Sequence, residues 1–142
     1  MYAVTHFSVG LMLGQAVGNP YAACALGLAS HAVLDVIPHS DYSKIIHGVW
    51  DLAGVAAIAS IAIGSGTRLG ALIGGSAAIL PDLEVAMVHL HMAKEQSPCK
   101  YRLFFPSHSG LIPHGRLLLP WGVVTQIATA VAVWIASRGA FV

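Results

Sequence analysis

His31 and Asp35 stand four residues apart in the stretch Ser30-His31-Ala32-Val33-Leu34-Asp35-Val36-Ile37-Pro38-His39. On a helix that spacing puts an imidazole and a carboxylate on one face, and Pro38 then ends the helix so that His39 can fold back toward them. His47 and Asp51 repeat the spacing at the start of the next apolar run. If the two runs are antiparallel, the two pairs face each other across a hairpin. Imidazole nitrogen together with carboxylate oxygen is the donor set of a divalent metal ion, zinc first, with manganese or iron as alternatives. A hydrogen-bonded structural couple, or a polar rim at an interface, uses the same residues, and at this level both readings stand beside metal ligation for each pair.

Further candidates lie elsewhere in the chain. Asp82 and Glu84 close an apolar run in Leu80-Pro81-Asp82-Leu83-Glu84, His6 opens the first run, and His108 and His114 sit among turn residues in Pro106-Ser107-His108-Ser109-Gly110 and Pro113-His114-Gly115. An ionised group at membrane depth costs at least a few kcal/mol on insertion scales, so Asp35 and Asp82 need a partner. An ion shared with histidines is one such partner, and a helix cap at the Pro81 break is the structural alternative for Asp82. The metal candidates are therefore His6, His31, Asp35, His39, His47, Asp82, His108 and His114, with Glu84 or Asp51 as the catalytic base. His89 and His91 point in different helical directions, so at most one of them can join the same site.

These residues need scaffolding, and five apolar runs supply it: Ala3 to Val17, Tyr21 to Ile37, Val49 to Ile63, Leu69 to His91 with an interruption at Pro81, and Leu117 to Ala136. Asn19-Pro20, Pro38 and Gly64-Ser65-Gly66 punctuate them, because proline lacks an amide donor and glycine relaxes the backbone. Small residues four apart in Gly70-Ala71-Leu72-Ile73-Gly74-Gly75-Ser76-Ala77-Ala78 predict close helix packing. In an up-and-down bundle, the starts of odd runs and the ends of even runs share one side, and every candidate residue falls there.

The composition names the solvent. Of 142 residues 56% are hydrophobic and 9% charged, with mean hydropathy +0.74, against about 25% charged in ordinary soluble domains. The expected fold is all-α, a single membrane-embedded helical domain over residues 1–142 of about five helices, with a polar metal site at one membrane end. Crossing the hydrocarbon takes about 20 residues, so the first and third runs are short for the task. An apolar soluble helical domain or an obligate oligomer is the competing architecture. Net charge is +1 and no basic cluster is interleaved with aromatics, so nucleic acid is not an expected partner. Cys24 and Cys99 match no metal or redox spacing. No basic leader precedes the first run, so it is expected to stay as a helix. Lys44, Lys94, Lys100, Arg102 and Arg116 fall on the side of the candidate cluster and Arg68 and Arg138 on the other. By the positive-inside tendency the cluster then faces the cytoplasm of a multi-pass inner-membrane protein.

At Leu80-Pro81-Asp82-Leu83-Glu84 the chain resembles the small prokaryotic membrane-bound metal-dependent hydrolases, whose pattern is an early His, a Leu-Pro-Asp-x-Asp segment and a later His-Arg-Gly-x-Thr-His segment. Glu84 takes the place of the last Asp. His108 to His114 is similar to the third element with one residue more between the histidines, Ser109 in place of Arg and Pro113 in place of Thr. Aligned instead as Thr-His-Ser, Ser107-His108-Ser109 still keeps His108. The segment from Ser30 to His39 also resembles the His-x-x-x-Asp, Pro and His segment of zinc-dependent phospholipase C and related nucleases, where such residues bind a zinc cluster and the substrates are phosphodiesters.

The resemblance implies a metal-dependent hydrolase, and with the membrane setting it implies a phosphate ester, a lipid or a lipid-linked molecule as substrate. His31, Asp35, His39 and Asp82 would be the main ligands, with His6 and His108 completing the shells. Arg102 or Arg116 could clamp a phosphate, although a basic loop after a membrane helix is also an ordinary topology signal. A metal-binding membrane protein without turnover (a carrier, sensor or assembly partner) is the alternative, and a structural membrane subunit is a third.

Overall fold

The computed structural model describes residues 1–42, 45–95, 103–113 and 115–137, the side chains of 45, 89 and 91–95 excepted. Among the described residues there are five helices and no strand: α1 (Ala3–Val17), α2 (Pro20–Val36), α3 (Ile45–Gly64), α4 (Leu69–Glu95) and α5 (Trp121–Ser137). The punctuation expected from the sequence sets the boundaries. Gly18 closes α1 in the left-handed region at φ 69°, where a side chain would be strained. Asn19 then caps α2, its side chain accepting from the amides of Tyr21 (2.9 Å) and Ala22 (3.1 Å), with Pro20 in the first turn. Ile37, just before Pro38, is extended and ends α2.

α1 is the centre of the bundle. It touches all four other helices, while α4 packs against both α1 and α2. The closest approach runs through glycine: a Cβ on Gly10 of α1 or on Gly27 of α2 would overlap the Gly74 carbonyl of α4, and one on Gly14 would lie 2.9 Å from Ala71 Cα. Gly70 and Gly74 therefore do what the four-residue spacing of small residues predicts, letting backbones meet. Buried Phe7 and Val55 pack with Ala3 on the α3 side, and Met1, Val9 and Leu34 on the α2 side.

Two details differ from expectation. Pro81 does not interrupt α4, which runs through it to Glu95. Proline removes one amide donor, that owed to Ala77, and neighbouring groups can satisfy a carbonyl freed in this way. The adjacent Ala78 carbonyl accepts from His31 Nδ1 at 2.7 Å. The last helix begins at Trp121 and not at Leu117, because Arg116 and Leu117 lie extended against His39, with His39 N donating to Gly115 O (3.2 Å) and Leu117 N to His39 O (2.7 Å).

Ile46–Gly64 and Leu69–Val88 are long and apolar enough to cross a membrane, whereas α1, α2 and α5 are shorter apolar helices. Large apolar side chains stand outward on α3 and α5, among them Trp50, Leu52, Ile61, Ile63, Ile127 and Trp134.

Candidate metal centre

The elements bring five of the sequence candidates together. α1 carries His6 in its first turn, α2 carries His31 and Asp35 in its last two, α4 carries Asp82 one residue past Pro81, and a turn after α4 carries His108. Two groupings have ligand atoms all within 4.8 Å of one another: His6, His31 and Asp82, and His31, Asp35 and His108. These buried His and Asp groups could hold a metal ion.

Helix geometry sets the first pair. His31 Nε2 lies 3.0 Å from Asp35 Oδ2, one turn along α2. Because the other ring nitrogen of His31 faces a carbonyl, which can only accept, Nδ1 carries a proton and donates it to Ala78 O. Nε2 of the neutral ring then presents a lone pair to the Asp35 oxygen, which is also an acceptor. Two acceptors at this separation require positive charge between them, either a proton that makes His31 an imidazolium or a metal ion. A ring N–H held by a backbone carbonyl is the usual arrangement behind a metal-binding histidine.

The third atom of the grouping makes the fit quantitative. His108 Nε2 is 3.4 Å from His31 Nε2 and 3.6 Å from Asp35 Oδ2. An ion held tetrahedrally at ~2.05 Å keeps its ligand atoms about 3.4 Å apart. The separations of 3.0, 3.4 and 3.6 Å thus outline one face of such a tetrahedron. Asp82 Oδ1 stands 3.8 Å from His108 Nε2 and 4.0 Å from His31 Nε2, and groups with His31 and His6.

His6 supports the face from beneath. Its ring stacks on His31 at 4.0 Å between centroids, and its Nε2 approaches the other Asp35 oxygen at 3.2 Å. His6 Nδ1 and Asp82 Oδ2 are buried polar atoms without a hydrogen-bond partner among the described residues. Such atoms are costly unless something else binds them. Asp35 is fully buried, His31 nearly so, and the Asp82 side chain is 29% exposed, so the cluster opens at Asp82.

His108 reaches the cluster because Glu84 holds its turn. The Glu84 carboxylate accepts from the amides of Phe104 and Phe105 (3.1 Å for the latter), and the turn closes with His108 N and Ser109 N both donating to Phe105 O. Asp51 is likewise committed to backbone. It accepts from Ala3 N at 2.6 Å and Val4 N at 3.0 Å, capping α1, and takes the hydroxyl of Tyr42 as well. Burial and that carboxylate push the Tyr42 phenol well above the usual tyrosine range.

His39 lies beside the cluster and outside both groupings. Its Nδ1 donates to Ile37 O (2.6 Å), and its Nε2 faces the Met1 nitrogen at 2.6 Å and Asp41 Oδ1 at 3.1 Å. The Met1 nitrogen in turn lies 3.1 Å from Asp35 Oδ1. His47 is exposed on the first turn of α3 and belongs to neither grouping. His114 and the side chains of His89 and His91 lie outside the described residues.

Gln126 was not among the sequence candidates. Fully buried on α5, it accepts from Tyr2 N (2.8 Å) and donates to Ser40 O (3.1 Å), tying the start of α1 to the corner after α2. Its signal was a carboxamide in the middle of the last apolar run. Gly122 presses on the same corner: a Cβ there would lie 2.9 Å from the His39 carbonyl carbon and 2.6 Å from Ser40 Cβ.

Comparison of the chain with protein-family models, with curated proteins and with solved structures finds no match. The site is therefore read from its own geometry.

Proposed function

We propose that the chain is a multi-pass inner-membrane, metal-dependent hydrolase of a phosphate ester, its site at the cytoplasmic end of an integral helical bundle. The observation that carries this reading is the triangle of His31 Nε2, His108 Nε2 and Asp35 Oδ2, with Asp82 Oδ1 3.8 Å from His108 Nε2. Two helices and a turn contribute to it, which is more than a helix cap or a local ion pair needs. The likeness of Leu80 to Glu84 and of His108 to the membrane-bound metal-dependent hydrolases points the same way, as does the likeness of the His31 segment to zinc-dependent phospholipase C.

Zinc suits the mixed nitrogen and oxygen donors, with manganese or iron as alternatives. His31, Asp35, His108 and Asp82 would hold the divalent ion, which would supply an activated water and offset charge on phosphoryl oxygens. The chain's own residues do the rest. His31 is held in one tautomer by Ala78 O, and Asp35 spans His6 and His31 with its two oxygens. Asp82 Oδ2, buried and without a hydrogen-bond partner among the described residues, would serve as the proton acceptor in this reading. Asp51 and Glu84 are engaged with amide groups, which makes them supports in this reading.

The membrane setting rests on the two candidate spans and on the outward apolar side chains of α3. Side chains this large and apolar, left facing water, would form a patch that soluble monomers rarely carry.

The test is hydrolysis of a phosphodiester panel (bis-p-nitrophenyl phosphate, then phospholipids) by protein purified in non-ionic detergent, with and without chelator. Turnover that the chelator stops and Asp35→Ala abolishes is the expected result. Bound metal without turnover on any substrate indicates a metal-binding protein instead.

A further inference from the structure

Beside the cluster a cleft of about 660 Å³ is lined by His39, Asp41, Tyr42, Arg116 and the run Leu117 to Leu119. That volume is in the range of small-molecule sites. Its two walls differ in chemistry. On one, the Arg116 side chain is 82% exposed, with Nε 3.7 Å from Asp41 Oδ2. On the other, Leu118 and Leu119 are 87% and 66% exposed, followed at the start of α5 by Trp121 at 67%. The hydrogen bonds of His39 with Gly115 and Leu117 hold the segment from Arg116 to Leu119 against the corner that carries Asp41. His39 is one atom removed from the cluster, since the Met1 nitrogen touches both His39 Nε2 and Asp35 Oδ1.

We infer that this cleft binds an anionic glycerophospholipid, its phosphate on Arg116 and its acyl chains along Leu118, Leu119 and Trp121. The inference rests on the hydrolase reading for what happens to the lipid, but the binding itself needs neither metal nor turnover. A guanidinium matches phosphate with a fork of donors. An adjoining row of exposed leucines and a tryptophan is the surface a membrane interface covers. A free phosphate would use the first wall and leave the second to water, so the pairing of the two favours an amphiphile.

The experiment uses the full chain in dodecyl maltoside micelles containing a phosphatidylglycerol with a photoreactive acyl chain, in chelator so that hydrolysis plays no part. Crosslinks are located by peptide mass spectrometry. The expected result is labelling concentrated on Leu117 to Trp121, displaced by unlabelled phosphatidylglycerol and not by glycerol phosphate, and reduced about tenfold by Arg116→Gln and by Leu118→Asp. Both positions are exposed, and a retained helical circular dichroism spectrum checks that the variants fold. Labelling spread evenly over the outer helix faces and indifferent to Arg116→Gln overturns the inference. So does competition by glycerol phosphate equal to that of the lipid. Expected labelling in a protein that neither binds metal nor hydrolyses phosphoesters leaves the cleft standing and removes the hydrolase. Metal-dependent hydrolysis with uniform labelling does the reverse.

Discussion

Asp35 Oδ2 lies 3.0 Å from His31 Nε2, one turn away on the same helix, while the ring's other nitrogen is held by a carbonyl of α4. The pair is thus both aligned by α2 and locked by α4. Pre-alignment of this kind removes ordering cost from whatever binds between the two atoms.

Glu84 illustrates how the surrounding chain supports that arrangement. Its carboxylate holds Phe104 N and Phe105 N, and the turn they start presents His108. Glu84→Ala is expected to speed amide exchange across Phe104 to Ser109 by roughly tenfold or more, since a charge-assisted hydrogen bond is worth about 1.5–3 kcal/mol. Metal affinity should fall with it, and Glu84→Gln should recover part of both. Hydrogen exchange by mass spectrometry reads the first effect and chelator competition the second. Unchanged exchange in Glu84→Ala would show that the turn stands without this carboxylate.

Asp51 is expected to act on stability. It caps α1 through Ala3 N and Val4 N and receives the Tyr42 hydroxyl. Removing a cap costs about 0.5–2 kcal/mol, and here three hydrogen bonds to one carboxylate are lost, Ala3 N keeping only the Tyr42 oxygen, so Asp51→Ala should sit at or above the top of that range. Thermal unfolding in detergent measures it. Tyr42→Phe should cost less, because Asp51 keeps its two amides.

Two glycines give opposite expectations. A side chain at Gly122 meets the backbone of His39 and Ser40, whereas a Cβ on Gly48 of α3 has nothing within 4 Å. Gly122→Val should destabilise by about 1–3 kcal/mol or more, as overpacking does. Gly48→Ala should be neutral or stabilise by up to about 1 kcal/mol through helix propensity. A pair of melting curves decides between them, and equal effects would mean that the α5 contact with the His39 corner is not tight.

Much of this architecture was legible in the sequence. The five helices, and the lack of strands among the described residues, followed from five apolar runs punctuated at Asn19-Pro20, Pro38 and Gly64-Ser65-Gly66. The meeting of His6, His31, Asp35, Asp82 and His108 was legible because acids and imidazoles are rare in apolar runs and alternating helix direction puts these at one end. The roles of Asp51 and Glu84 were hidden. A carboxylate that caps amides and one that serves as a base have the same letter, and only the fold decides which N–H groups come near. Gln126 was hidden for a related reason, since its partners Tyr2 and Ser40 are backbone atoms distant in sequence. Pro81 read as a break because its missing donor is a local fact, while the contact of His31 with the neighbouring Ala78 carbonyl is a tertiary one.

The central claim is that the cluster holds a divalent ion, and elemental analysis of the detergent-purified protein tests it most directly. After dialysis against metal-free buffer the account predicts about one or more equivalents of zinc, manganese or iron per chain. The same preparation of His31→Ala and of Asp35→Asn should fall to background while the circular dichroism spectrum stays helical. A wild-type protein that carries no ion and takes up none on titration, or variants that keep the full content, would contradict it, leaving a buried imidazolium and carboxylate pair in place of a metal centre.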